Sequence, residues 1–273
     1  MTSSWRLIIS DPNTGAWNMA FDEALLKSSA EKSTPPTLRL FSWNPAALSL
    51  GFAQPHTDVD QENLAVEGWT LVRRPTGGRA ILHIDELTYS VCAPLDNPIL
   101  SGSLLESYRK ISLALLDALA RLGVEAVGDK EYLNGNGKTS PNAVCFETPS
   151  NYEITARGKK LIGSAQARKY GGLLQHGSLP LFGDLTRITQ VLKYQNEQER
   201  QKDARLLLDH AATLETVLGK VIPWKTAANA FIDSFSSTFM IDFISSSPTE
   251  LELEMTEELM LTKYNSSAWT NRI

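Results

Sequence analysis

Soft-metal and disulfide chemistry has little to work with in this chain. Its 273 residues include two cysteines and four histidines. Cys92 and Cys145 form no CxxC pair, so the ligand pattern of a structural zinc site is missing and no metal is expected. No run of about 18 apolar residues occurs, so no membrane span is expected. Met1–Asp11 carries one arginine but no apolar stretch of signal-peptide length. The expectation is a cytoplasmic protein with both thiols reduced. Basic charge is also lacking: 26 Lys and Arg stand against 31 Asp and Glu, a formal net charge of −5. No global positive field is available to recruit nucleic acid, and an acidic partner would need a local basic patch. Neither GxGxxG nor GxxxxGK[ST] occurs, so dinucleotide-binding and P-loop readings lack their fingerprints. There is no internal repeat and no low-complexity tract.

What is present is ordinary globular composition, 42% apolar and 21% charged, in a chain long enough to bury a sizeable core. Trp5–Ile9 reads as a strand. Trp17, Ala20, Phe21, Ala24 and Leu25 recur at the spacing of an amphipathic helix. Strands are predicted over Thr37–Trp43, Ala47–Phe52, Ala80–His83 and Leu87–Ala93, with Leu71–Arg74 running into a glycine turn at Pro75–Gly78. Ser103 and Glu106 form a capping box that opens a long helix stopped at Gly123. Asn134–Asn142 reads as a loop. Tyr152–Ala156 and Leu161–Ala165 flank a hairpin turn at Gly158-Lys159, and Leu173–Leu181 follows as a strand. Beyond Asp184 only helices are predicted: 184–194, 196–209, 213–218, 223–238 and 248–264, the last with a capping box at Ser247–Glu250 and Pro248 at its first position. Strands followed by helices give an α+β (mixed α/β) fold, a mixed sheet flanked by helices with a helical C-terminal third. The division expected is a domain over 1–245 and a helical extension over 246–273 packed on it.

Three segments carry chemistry. In Arg73-Arg74-Pro75-Thr76-Gly77-Gly78-Arg79-Ala80-Ile81-Leu82-His83, adjacent glycines let the backbone approach a ligand and present amides to an anion or a carbonyl oxygen. The three arginines gather positive charge there, although a turn with solvated arginines accounts for the pattern equally well. In Asn142–Ser150, Cys145 sits among turn formers where a thiol is accessible. A thiolate forms thioesters readily, but a free thiol titrates at about 8.5 and needs a nearby cation to act at neutral pH. Most lone cysteines are small buried hydrophobes, a description that suits Cys92 in its strand. In the third segment, Lys160 leads a strand of small residues, Gly163, Ser164 and Ala165, which leave room for a slim ligand. Gln175, His176 and Ser178 are polar positions in the strand that follows. A solvated hairpin lysine and a satisfied core histidine are the plain alternatives for Lys160 and His176. Spacing alone does not bring Cys145 to Lys160, because a strand rises about 3.3 Å per residue.

Taken in order, RRPTGGRAILH, CFETPSNYE and KKLIGSAQARKYGGLLQHGSL resemble the lipoate-protein ligase and biotin ligase catalytic-domain family. The cysteine loop resembles its octanoyl-[acyl carrier protein]:protein octanoyltransferase branch, as does the terminal KYNSSAWTNRI. The resemblance implies a biotin/lipoate ligase-like domain in which Cys145 forms an acyl thioester and Lys160 favours its thiolate. It implies a substrate site lined by Arg73, Gly77, Gly78, Arg79, His83, Gly163, Ser164, Ala165, His176 and Gly177. The implied donor is octanoyl-acyl carrier protein, and the implied acceptor is a lysine of the glycine-cleavage H protein or of a dehydrogenase lipoyl domain. Neither ATP nor a metal cofactor would be needed. Arg79 departs from the pattern, standing where many ligases carry a third glycine or small residue. An ATP-dependent lipoate-protein ligase, an octanoyl amidotransferase acting between lipoyl domains, and a non-catalytic acyl- or lipoyl-domain-binding protein remain as alternatives.

Overall fold

The structure, a computed structural model, describes residues 3–128 and 153–273. Cys145, the rest of the 142–150 segment and the Asn134–Asn142 stretch lie outside the described residues.

The chain opens with β1 (Ser3–Ile9), α1 (Gly15–Ala30), β2 (Thr37–Phe41) and β3 (Ala47–Leu50). A short α2 (Gln61–Val66), capped by the Asp60 carboxylate accepting from the Asn63 amide, was not anticipated from the apolar pattern. Next come β4 (Thr70–Arg73), β5 (Ile81–His83) and β6 (Glu86–Pro94). The predicted capping box is present: Ser103 and Glu106 exchange side-chain and backbone bonds at the start of α3 (Leu104–Arg121). After β7 (Ala126–Gly128), the hairpin of β8 (Ile154–Ala156) and β9 (Lys159–Lys169) turns at Arg157-Gly158, one residue earlier than expected. Both turn residues have positive φ, 52° and 75°, as the tight hairpin requires. β10 (Gly172–Pro180) pairs with the full length of β9 from Gly163 onward.

The last third is not all helix. The helix expected over 184–194 is a 3-10 stretch, Leu185–Gln190. α4 (Glu197–His210), α5 (Leu214–Leu218) and α6 (Trp224–Phe239) fall close to expectation, but β11 (Ile241–Ser245) follows and pairs in parallel with β1. α7 (Glu250–Leu259) is capped by Thr249 with Glu252, so Pro248 lies before the cap, not inside the first turn. One π-helical turn, Met260–Tyr264, and the short α8 (Ser267–Thr270) complete the chain.

Among the described residues, eight strands form one sheet in the order β11-β1-β2-β6-β10-β9-β8-β7, and β4-β3-β5 form a smaller one. Side-chain alternation on β6 sorts the two faces. Leu87, Tyr89, Val91 and Ala93 join the main core with Leu115 and Ala118 of α3 and Phe231 and Phe235 of α6. On the opposite face Cys92 packs with Phe21 and Leu25 of α1. Helices thus cover both faces, the α+β arrangement expected. α1 is not the amphipathic helix the spacing predicts: every residue from Asn18 to Leu26 is buried, because α7 and the π turn cover the side turned away from the sheet.

An ion pair fixes that cover. Arg6 of β1 donates from both terminal nitrogens to Glu252 at 2.7 and 3.0 Å, and the Glu252 side chain is fully buried. The same carboxylate accepts the Thr249 amide at 2.8 Å. Removing one partner of a buried pair leaves the other charge uncompensated, at a cost of about 3–5 kcal/mol. Glu252→Ala is therefore expected to lower stability by that order in urea unfolding, while Arg6→Met with Glu252→Leu loses much less. An unchanged urea midpoint for Glu252→Ala would show that the pair does not hold the C-terminal segment.

Candidate active site

The register of the large sheet aligns chemistry in rows. Arg39 of β2 stands beside Ser90 of β6, Ser90 beside His176 of β10, and His176 beside Ala165 of β9. In the neighbouring row Thr88, Ser178 and Gly163 are aligned. Asp22, from the middle of α1, sits over the first row and joins it. Its Oδ1 accepts from Arg39 at 2.7 Å and from the Ser90 hydroxyl at 2.8 Å, and its Oδ2 meets His176 Nδ1 at 3.2 Å. Arg39 is fully buried and also reaches Asn18, donating to its Oδ1 at 2.6 Å and to its carbonyl at 3.2 Å. Its guanidinium lies 3.7 Å from the Phe41 ring centroid. Burial would raise the Asp22 pKa, but the charge of Arg39 and the contact with His176 outweigh it, so the carboxyl is held below its ordinary value. Burial draws the His176 pKa down, with Asp22 opposing.

The arginine-glycine turn closes over these rows. The Thr76 hydroxyl meets His176 Nε2 at 2.7 Å. Arg74 donates to the Gly77 carbonyl at 3.0 Å, to the Arg79 carbonyl at 2.6 Å and to the Ser49 hydroxyl at 2.9 Å. That hydroxyl is 2.8 Å from His83 Nε2, and His83 Nδ1 is 2.7 Å from Glu86. Trp43 stacks on the His83 ring at 3.9 Å between centroids and donates from Nε1 to Thr88 at 2.8 Å. Thr88 in turn donates to Glu86. Between turn and sheet lies a narrow cleft with a mostly apolar lining. Its walls include Met19, Trp43 and Ile81, and its floor is the small-residue stretch Gly163–Ala165 with Gly177.

Of the residues the sequence places at the site, His83, Gly163, Ser164, Ala165, His176 and Gly177 line this cleft together. Gly77, Gly78 and Arg79 belong to the turn beside it but are absent from its lining. Arg73 points elsewhere: its guanidinium donates to the carbonyls of Gly51 at 2.8 Å, Gln54 at 2.6 Å and Thr270 at 2.7 Å. Arg74, the next residue, takes the place at the lining. Gln175 does not face the cleft either; it donates to the Tyr89 hydroxyl at 2.9 Å, which also meets Ser164 Oγ at 2.7 Å. Burial pushes the Tyr89 pKa up to about 12, so it stays a neutral partner. Lys160 is not a solvated hairpin lysine. Only 4% of it is exposed, and its Nζ donates to Glu153 at 2.8 Å. It lies three residues before Gly163 on β9, outside the cleft lining. Cys92 is buried in β6, its thiol pKa pushed well up by burial. Asp22, Glu86 and Trp43 were missed. The signal for Asp22 was an acidic residue inside an otherwise apolar helix repeat. Among the described residues, no group of three or more His, Cys, Asp or Glu side chains could hold a metal, and no helix is long and apolar enough to cross a membrane.

Comparison with known proteins bears on the family. A family model described as the lipoyl protein ligase A/B catalytic domain matches residues 14–236. Octanoyltransferase LipM of Carboxydothermus hydrogenoformans is 39% identical over 98% of this chain and 99% of its own. Octanoyltransferase LipM of Moorella thermoacetica is 40% identical over 98% of each. Among solved structures, a bipartite lipoate protein ligase from Thermoplasma acidophilum superposes with a TM-score of 0.82 at 26% identity, over 98% of this chain and 96% of that one. A lipoate-protein ligase A bound with ATP gives 0.79 at 26% identity, over 99% of each.

The glycines of the cleft differ in how much room they have. A Cβ on Gly177 would sit 2.5 Å from Ser164 Oγ and 2.6 Å from the Gly163 carbonyl, whereas one on Gly77 would meet nothing within 4 Å. Gly177→Ala is expected to destabilise by about 1–3 kcal/mol through overpacking and to weaken binding of any ligand in the cleft. Gly77→Ala is expected to stay within about 0.5 kcal/mol of wild type. Thermal unfolding of both variants checks the contrast, which equal losses at the two sites would refute.

Proposed function

Because the chain belongs to the lipoyl protein ligase A/B catalytic-domain family, we propose that it is an octanoyltransferase of protein lipoylation. It would take an octanoyl group from octanoyl-acyl carrier protein and deliver it to a lipoyl-bearing protein, either the glycine-cleavage H protein or a dehydrogenase lipoyl domain, in the cytoplasm. The observation that carries this reading is the narrow apolar cleft floored by Gly163, Ala165 and Gly177, with the buried Lys160 ammonium on the same strand. Such a cleft suits a slim unbranched acyl chain better than a bulky or charged group.

The chemistry is two thioester-based steps. The Cys145 thiolate attacks the donor thioester carbonyl, and the carrier's phosphopantetheine thiol leaves with a proton. The acceptor lysine, as a free amine, then attacks the Cys145 thioester; the amide forms, the nitrogen loses a proton and the thiol is restored. The incoming thioester is already activated, so no ATP and no metal enter. Lys160 serves the first step by favouring thiolate over thiol, and Glu153 sets how much of that charge is available. Backbone amides of the Gly77–Gly78 turn are suited to the developing oxyanion.

Incubation with octanoyl-acyl carrier protein, followed by intact-mass measurement, is expected to show one octanoyl adduct on the wild type and none on Cys145→Ala. An adduct that survives Cys145→Ala removes the proposal. Dependence of product formation on ATP and free lipoate would point to a ligase instead. Lys160→Ala is expected to slow alkylation of Cys145 at neutral pH and Glu153→Gln to speed it. Identical rates for both variants and wild type would remove the electrostatic role.

A further inference from the structure

Two hydrogen-bonded chains converge on the arginine-glycine turn, one through His176 of the large sheet and one through His83 of the small sheet, and neither belongs to the cysteine-lysine chemistry. In the first, the Asp22 carboxylate meets His176 Nδ1 at 3.2 Å and His176 Nε2 meets the Thr76 hydroxyl at 2.7 Å. In the second, Glu86 meets His83 Nδ1 at 2.7 Å, and His83 Nε2 meets the Ser49 hydroxyl at 2.8 Å. That hydroxyl accepts from Arg74, which holds the carbonyls of Gly77 and Arg79. All the carboxylates, imidazoles and hydroxyls in these chains are less than a tenth exposed.

The partners assign the protons. A carboxylate only accepts, so each imidazole carries its proton on Nδ1. On a neutral ring Nε2 is then an acceptor and takes a hydrogen bond from Thr76 or from Ser49. The second chain is consistent throughout: Ser49 accepts from Arg74 and donates to His83, and Thr88 accepts from Trp43 and donates to Glu86. Each neighbour fixes the direction of the next bond, the arrangement in which a buried polar network rigidifies what it holds.

We propose that Asp22 and Glu86 are positioning residues that act through His176 and His83 to clamp the 74–79 turn over the cleft from the two sheets. Fixing the tautomers fixes where Thr76 and Arg74 can bond, and these two hold the Gly77–Gly78 stretch of the turn beside the cleft. A turn displaced by an ångström would still bind an acyl chain along the small-residue floor but would stabilise the transition state poorly. The kinetic part of this inference rests on the acyl-transfer reading; the tautomers and the clamp do not.

The test combines two readouts on the full-length protein. In a long-range proton–nitrogen spectrum of the wild type, His83 and His176 are expected with protonated Nδ1 and bare Nε2. Thr76→Val is expected to shift the His176 Nε2 resonance and to lower octanoyl transfer about tenfold or more through kcat, with little change in KM. Thr76→Ser, which keeps the hydroxyl, is expected to restore most of both. Ser49→Ala is expected to do to His83 what Thr76→Val does to His176. Since both chains hold one turn, the double variant should lose less than the product of the single losses. The inference is overturned by a protonated Nε2 on His176, by wild-type kcat in Thr76→Val, by failure of Thr76→Ser to recover, or by strictly multiplicative losses. If Thr76→Val does not fold, the wild-type spectrum and the Thr76→Ser kinetics still decide. A wild type that forms no octanoyl adduct yet shows the expected tautomers and shifts would remove the acyl-transfer reading and support the clamp.

Discussion

The carboxylate of Asp22 is the point on which this molecule's geometry rests. It is fully buried between a helix and a sheet, where an ionised group is tolerated only if its lone pairs are used. Here they bind one residue from each of three adjacent strands: Arg39, Ser90 and His176. Because Arg39, Ser90 and His176 are in register, a slip of any one of these strands would leave the carboxylate short of a partner, and a slip of β2 would strand a guanidinium in the core. The interaction thus couples helix placement, strand register and the orientation of His176.

A buried ion pair is often no more stable than a well-packed apolar substitute, so the pair is better understood through what it specifies. Leu or Met at positions 22 and 39 could fill the volume, but neither would hold an imidazole in one tautomer. The cation is also used beyond its partner. Arg39 donates to the Asn18 carbonyl and lies over the Trp17 and Phe21 rings, so the backbone and the aromatic packing of α1 are tied to the same charge. The histidine that lines the cleft therefore inherits its orientation from contacts made well outside the cleft.

How much of this could be read from the chain depends on the range of the interaction. Local devices were legible: the Ser103–Glu106 box, the strand alternation of Leu87–Ala93 and the hairpin after Ala156 each depend on neighbours within a few residues. Two elements misled because their partners are distant. α1 carries an apolar stripe at helical spacing, yet its polar face is buried too, under a segment more than 200 residues later. β11 follows α6 with no turn signal, and it is a strand because β1 offers a free edge. The glycine turn was legible as a turn, and the small residues of β9 as a floor, but not the carboxylates behind them. Asp22 lies on α1, and only the packing of that helix on the sheet brings it beside His176; Glu86 stands three residues from the His83 it orients. The reading of Cys145 drew on motif order, and its position lies outside the described residues.

The adjacent arginines show why residue type alone could not finish the assignment. On a strand, neighbours point to opposite faces, so Arg73 and Arg74 cannot both address one ligand. Arg74 turns to the cleft side and gathers the carbonyls of its own turn. Arg73 turns away, takes the Thr270 carbonyl and, through its own carbonyl, receives Trp269 Nε1 at 2.9 Å. One dipeptide therefore fastens two things: the loop over the cleft and the C-terminal segment behind it. The C-terminal segment also covers α1, on which Asp22 stands, so its docking and the order of the turn are linked through the same few residues. A chain that lost its last turn of helix would expose the back of the strand that carries the turn, and with it the support on which the geometry of the cleft depends.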